Sequence, residues 1–110
     1  MEKPVKGDVV VVPFPFSDLS ASKKRPALVI AALMGNDAIL CQITSKARFD
    51  SYSIALADAD FEKGRLNMPS RIRPNRLFTA DESIVLYKAG SLRKGKIKEV
   101  EETLVRIIRS

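Results

Sequence analysis

The sequence predicts a small, mainly β domain: a closed or half-closed barrel of SH3-like scale, finished by one C-terminal α-helix. Three observations carry this. Short apolar, β-branched runs alternate with turn residues; only the last segment has a helical period; and 110 residues leave room for one core, so 1–110 is a single domain. Val9–Val12 is a run of valines, whose branching at Cβ stiffens χ1 in favour of a strand. Pro13 and Pro15 each withhold a ladder donor, so the strand is expected to end or turn there. Phe14 and Phe16 alternate with these prolines and share a side, either as core or with one lining a binding groove. Ser17–Lys24 is small and polar and reads as a loop. Ala27–Leu33 is too uniformly apolar for a one-sided strand and is expected to be central, covered on both faces. Gly35-Asn36-Asp37 is a turn signal, and with Ala38–Thr44 it makes 27–44 a hairpin.

Ser53–Leu56 is a further strand, Asp58–Gly64 a polar connection, and Leu66–Pro69 follows it. Ile72–Phe78 and Ile84–Tyr87 are expected to be short strands separated by Thr79-Ala80-Asp81-Glu82-Ser83. Ile97, Val100, Leu104, Ile107 and Ile108 recur on one face of a helix that begins near Gly95, with Lys98, Glu102, Arg106 and Arg109 on the other side.

The chemistry is bounded by what is missing. The chain has no histidine and one cysteine, so an internal disulfide is excluded and a zinc site has almost no ligands to use. Cys41 lies in the apolar run AILCQIT and reads as a core residue rather than a nucleophile. Paired carboxylates at two-metal spacing and a glycine-rich phosphate loop are both missing, so neither metal nor cofactor is expected. No apolar run approaches the roughly 20 residues that span a bilayer, and MEKPVKGD carries no signal-peptide core, so a cytoplasmic protein without membrane attachment is expected.

Charge gives the positive indication. There are 19 basic and 13 acidic residues, a net charge of +6. Basic excess alone is common, but its distribution is not even. Lys63, Arg65, Arg71, Arg73 and Arg76 fall in a stretch without an acid, while Asp58, Asp60 and Glu62 precede it and Glu99, Glu101 and Glu102 lie near the C-terminus. A local positive run is what a phosphate-tracking surface needs. Three clusters could form one. In Lys23-Lys24-Arg25-Pro26, the proline ring biases Arg25 toward extended backbone, and its guanidinium is a planar fork suited to phosphate. Thr44-Ser45-Lys46, with Arg48, sets hydroxyls and cations at a strand end. Ser70, Arg71, Arg73 and Asn75 lie on or near a late strand. Each also fits a blander reading: a solvated cation cluster, a polar strand terminus, an edge strand guarded by charge. Together they point to a polyanion, with RNA the best candidate. Without histidine or metal, the natural cleavage route is attack by the substrate's own 2′-OH on the adjacent phosphorus, with the protein orienting the chain and stabilising charge.

Gly7-Asp8-Val9-Val10, Pro13-Phe14-Pro15-Phe16, Arg25-Pro26-Ala27-Leu28-Val29-Ile30, Gln42-Ile43-Thr44-Ser45, Ser70–Thr79 and Gly90-Ser91-Leu92 resemble, in order and across the chain, the MazF/PemK toxins of type II toxin–antitoxin modules. The resemblance implies an SH3-like barrel with a C-terminal helix, a homodimer, and a metal-independent, sequence-selective endoribonuclease leaving a 2′,3′-cyclic phosphate. It places the catalytic roles on Arg25 and Thr44, makes loop 17–24 a gate, and gives RNA contacts to Phe16, Ser17, Lys23, Lys24, Ser45, Lys46, Arg71, Arg73 and Asn75. A cognate acidic antitoxin is the expected inhibitor, covering residues 17–25 and 63–76. One departure is informative: some members carry Arg-x-Asp on the late strand, and here Asn75 follows Arg73, so no general base is available at that position. A non-enzymatic gyrase poison like CcdB, or an RNA-binding barrel without catalysis, are the alternatives.

Overall fold

The structure is a computed structural model and describes residues 3–15, 22–46 and 50–110. The valine run forms β1 (Asp8–Pro15), which continues through both prolines instead of ending at them. Only one side of β1 is paired there: its ladder to β7 (Tyr87–Leu92) stops at Val11, while the ladder to β2 (Ser22–Ala32) runs on to Pro15. A strand with one open side can spare the proline donors. β2 correspondingly starts at Ser22, so Lys23 and Lys24 are strand residues and not part of a loop. The expected hairpin forms through Gly35 to β3 (Asp37–Thr44).

β4 is Ile54–Leu56. The polar stretch expected to be a connection holds a 3₁₀ turn at Asp58–Asp60 and an edge strand, β5 (Phe61–Gly64). β6 is long, Ser70–Asp81, and the apolar run 84–87 is not a strand. Ile84 closes a second 3₁₀ turn, Val85 is buried, and the strand begins only at Tyr87. The C-terminal helix α1 spans Lys94–Arg109. Val100 and Thr103 are its buried residues and Ile97, Leu104 and Ile107 are half-buried, but Ile108, assigned to the same face by its spacing, is 71% exposed at the last turn.

All seven strands form one antiparallel sheet in the order β4-β6-β3-β2-β1-β7-β5. Ile54 and Leu56 from one edge strand and Phe61 from the other join Val9, Leu28, Cys41, Ile43, Ile72, Leu92 and Val100 of α1 in a single core cluster. Two opposite edges can reach one core only if the sheet curls, and the result is a half-barrel: among the described residues no ladder joins β4 to β5. Alternate residues of the same strands (Val10, Val12, Ala27, Val29, Ala38, Leu40) form a second cluster on the other face with Val85. β2 and β3 are thus covered on both sides, as their composition requires. Burial pushes the Cys41 thiol up to about 12, against a smaller opposing effect of the Leu28 backbone, so it stays protonated and behaves as core. Gly64 ends β5 with φ of 73°, and a Cβ there would lie 2.1 Å from the Ala89 carbonyl oxygen, so only glycine lets β5 approach β7 this closely.

Candidate functional site

The β2–β3 ladder stops at the pair Ala27–Gln42. Pro26, with no amide hydrogen to donate, stands at that point, and the next outward residues on the Ala27–Gln42 face are Arg25 and Thr44. Register extends this row in both directions. Val12 of β1 faces Arg25, and Arg71 of β6 faces Thr44. Thr44 and Arg71 are thus paired, and Arg25 lies on the same face just beyond the last β2–β3 pair, opposite Ile43 and Ile72. A second row behind them pairs Gln42 with Arg73. Thr44 is 3% exposed, and its Oγ1 accepts a hydrogen bond from the Lys46 amide at 3.1 Å, which fixes the hydroxyl and the chain leaving β3.

The two β6 arginines are held by the turn that precedes β4. Arg71 donates through Nε to Ser53 Oγ (2.8 Å) and through Nη2 to the Ser53 carbonyl (3.1 Å). Arg73 Nη2 meets Asp50 Oδ2 at 3.5 Å. Asp50 is itself locked by the amides of Ser53 (2.7 Å) and Tyr52 (2.9 Å). Its carboxyl is held below the ordinary aspartate range, first by the Ser53 amide and then by the Tyr52 amide and the Arg73 charge, against some desolvation. The run 63–76 is therefore opposed in space, by a carboxylate that precedes it in the chain. It is also not one surface. Lys63 belongs to β5 beside β7, Arg71 and Arg73 face the 50–53 turn, and Arg76 Nε donates to Gln42 Oε1 at 3.3 Å. Asn75 is exposed within the irregularity where β6 slips against β3, between the pairs Gln42–Arg73 and Cys41–Leu77.

Where β2 and β3 part, a groove of about 310 Å³ opens, lined by Lys24, Arg25, Ser45, Asn67, Met68 and Ser70 among others. Its outer wall is the segment Leu66–Pro69, and Ser70 Oγ fixes that wall by donating to the Met68 carbonyl at 2.9 Å. The groove sets two cations, two hydroxyls and one amide beside apolar Pro26, Ile43, Leu66 and Met68, and Ile43 places it on the face of the sheet opposite Thr44 and Arg71.

The structure thus unites Arg25, Thr44 and Arg71 in one row, places Lys24 and Ser45 in the adjoining groove, and sets Arg73 behind. Lys23 and Lys46 are exposed at the same strand ends. Asn75 is displaced from the row, and Phe16 and Ser17, with most of the expected gating loop, lie outside the described residues. Sequence reading missed Asp50, Ser53 and the wall residues Asn67 and Met68. For Asp50, the only signal was an Asp-x-x-Ser turn pattern with no mark of its partner. Among the described residues, no three metal-ligating side chains form a group, and no helix is long and apolar enough to cross a membrane.

Comparison with known proteins bears on this arrangement. Residues 5–108 match the model of a PemK-like, MazF-like toxin of type II toxin–antitoxin systems. Similar solved structures include MazE–MazF (Form-III) from Deinococcus radiodurans, with a TM-score of 0.78, 17% identity, and 97% of each chain covered. MazF (Form-I) from the same organism gives 0.77 and 18% identity, with 100% of each chain covered. An endoribonuclease with its cognate antitoxin from a mycobacterial species gives 0.74 and 14% identity, with 96% of this chain and 94% of that one covered. At such identities these structures establish a shared fold. No curated protein matched the chain.

Proposed function

Because this chain belongs to the PemK-like, MazF-like toxin family of type II toxin–antitoxin systems, we propose that it is a sequence-selective endoribonuclease whose chemistry is carried by Arg25 and Thr44. The observation that carries this reading is that the half-buried Arg25 and the buried, hydrogen-bonded Thr44 share one face just beyond the last β2–β3 pair, where the strands part around a groove lined by Lys24 and Ser45. The similar structures bearing the words endoribonuclease and cognate antitoxin support the activity and the partner.

In the proposed reaction the 2′-oxygen of one nucleotide attacks the adjacent phosphorus, the bond from phosphorus to the 5′-oxygen breaks, and the products are a 2′,3′-cyclic phosphate and a 5′-hydroxyl. Negative charge develops on the non-bridging oxygens, and the Arg25 fork is suited to stabilise it; arginine keeps its proton in proteins, so it serves as an electrostatic stabiliser, while water takes the proton of the 2′-hydroxyl and supplies one to the 5′-oxygen. Thr44 holds a phosphate oxygen. Lys23, Lys24, Ser45, Lys46, Arg71, Arg73 and Asn75 bind the chain on either side, and no metal enters the reaction. Among the described residues, the carboxylate held against the arginine rows is Asp50, a weak base because its proton affinity is lowered. Catalysis therefore rests on orientation and charge stabilisation.

The protein is proposed to act as a homodimer in the cytoplasm and to be silenced by an acidic antitoxin laid over the cationic groove. The test is incubation of the pure protein with a long RNA in EDTA, repeated with Arg25→Ala and Thr44→Ala. Discrete fragments ending in a cyclic phosphate, lost in both variants, are expected. RNA left intact across a wide range of sequences, or bound in a salt-dependent way without cleavage, contradicts the reading.

A further inference from the structure

Beside the cationic groove lies a second cavity of about 250 Å³, and the two share the wall Leu66, Asn67 and Met68. Its chemistry is different. Leu56 and Phe61 supply a floor, both nearly buried at 4% and 5% exposure, so they show only an edge to the cavity. Met68, 61% exposed, forms an adaptable apolar side. The polar groups are the carboxylate of Asp58 and the amide of Asn67. Asp60, two residues on, is engaged through Oδ2 with the Ala57 amide and with Lys96. The Asp58 side chain, by contrast, has no hydrogen bond or ion pair among the described residues. An apolar slot with an acceptor at its rim, next to a groove of cations, repeats the alternation of base and phosphate in a nucleotide chain. The volume falls below the roughly 300–1,000 Å³ of pockets that take drug-sized ligands, and so matches one ring system rather than a whole nucleotide.

We infer that this cavity receives the base of a nucleotide whose phosphate lies in the Lys24–Arg25 groove, and that it selects a base with an exocyclic amino group, cytosine, adenine or guanine, over uracil. This deepens the RNA-cleavage reading and rests on it. The selection follows from Asp58: an ionised carboxylate only accepts hydrogen bonds, so it pairs with an amino group and repels the carbonyl oxygen that uracil presents at the same edge. Asn67 can donate to the neighbouring ring nitrogen. Orientation follows from charge, because Asp58 at this cavity repels phosphate while Lys24 and Arg25 attract it on the other side of the wall.

The test has two arms. In the first, cytidine, adenosine and uridine 5′-monophosphates are titrated into the protein while NMR follows the Met68 methyl and the Asn67 side-chain amide. CMP and AMP are expected to move both signals with an affinity about five- to a hundredfold above that of UMP, the range of one good polar base contact, and Asp58→Asn is expected to remove that preference. In the second, a randomised RNA pool is cleaved and sequenced. The wild type is expected to require an amino-bearing base at one position beside the cut, and Asp58→Asn to relax that position alone. UMP binding equal to that of CMP and AMP, signals that no nucleotide moves, or an Asp58→Asn cleavage pattern identical to wild type overturns the inference. A pool left uncut by the wild type counts against the cleavage reading, and the titration then decides the cavity by itself. Since the Asp58 side chain holds nothing in the fold, the substitution does not confound either arm with unfolding.

Discussion

Two cavities meet at the wall 66–69, and they differ in what their residues are held by. In the row, the functional groups are seated on strands: Arg25 on β2, Thr44 at the end of β3 with its hydroxyl fixed by the Lys46 amide, and Arg71 on β6 with its guanidinium fixed by Ser53. On the other side, Asp58 sits on a 3₁₀ turn and Asn67 on an irregular segment, neither side chain engaged by another group among the described residues. Chemistry that must be met within a fraction of an ångström belongs on the rigid elements. Discrimination between bases can be left to side chains that find their partner only when it arrives. If this contrast is right, damage to the groove side destroys rate, and damage to the other side changes choice.

The largest effect is expected at the row itself. Thr44→Ala should lower the cleavage rate by about 10²–10³, the cost of removing one preorganised charge-stabilising donor, while Thr44→Ser recovers much of it; single-turnover kinetics on a defined RNA checks both. Next comes the shared wall. Gly64→Ala forces a Cβ against the Ala89 carbonyl in a left-handed backbone conformation, immediately before residues 65–69. It should cost more than about 1 kcal/mol of stability in urea titration and blunt rate and selectivity together. A change in only one of these would mean that the cavities do not share their wall functionally.

A smaller effect is expected at Lys24, exposed in the groove. Lys24→Ala should weaken RNA binding about equally for all sequences and reduce the slope of log affinity against log salt by about 1. The smallest concerns Asp50. Its carboxyl titrates below the ordinary value in the folded protein, held there by the Ser53 and Tyr52 amides and the Arg73 charge. A lowered folded value means that its contribution to stability is fully present above about pH 4, the unfolded value, and is lost as pH falls through the folded one. The stability difference between wild type and Asp50→Asn should therefore be flat from neutral pH to about 5 and shrink below 4 in urea titrations. A difference that persists undiminished at the lowest pH would mean that the charge held by the Ser53 and Tyr52 amides and Arg73 is not what Asp50 contributes.

What the sequence made legible has the same division. Where residues act through local patterns, reading succeeded: the valine run, the 27–44 hairpin, the helix after Gly95, and Thr44 at a strand end, whereas Arg25 lies inside β2 and not at its entry. It failed where tertiary position decides. β5 was missed because it is an edge strand with only Phe61 buried, so its polar sequence carried no strand pattern. Residues 84–87 were taken for a strand because Ile84 and Val85 are apolar, although they plug the second core cluster from outside the sheet. Conversely, β7 follows with Gly90 packed against β5 and little alternation to reveal it. The basic run 63–76 looked continuous and unopposed because its separation between β5 and β6, and the arrival of Asp50, depend on pairings across more than twenty residues of chain.

The most direct measurement of the central claim separates binding from chemistry at Arg25. Wild type and Arg25→Ala, each at saturating protein over a single RNA containing one cleaved bond, are compared for affinity and for single-turnover rate in EDTA. The account expects the rate constant to fall by about 10²–10³ while affinity falls by less than tenfold, since Lys23, Lys24, Lys46, Arg71 and Arg73 remain. Equal rate constants at saturation, with the whole loss in affinity, would reduce Arg25 to one more phosphate contact and contradict the claim that the Arg25–Thr44 row is where the RNA is cut.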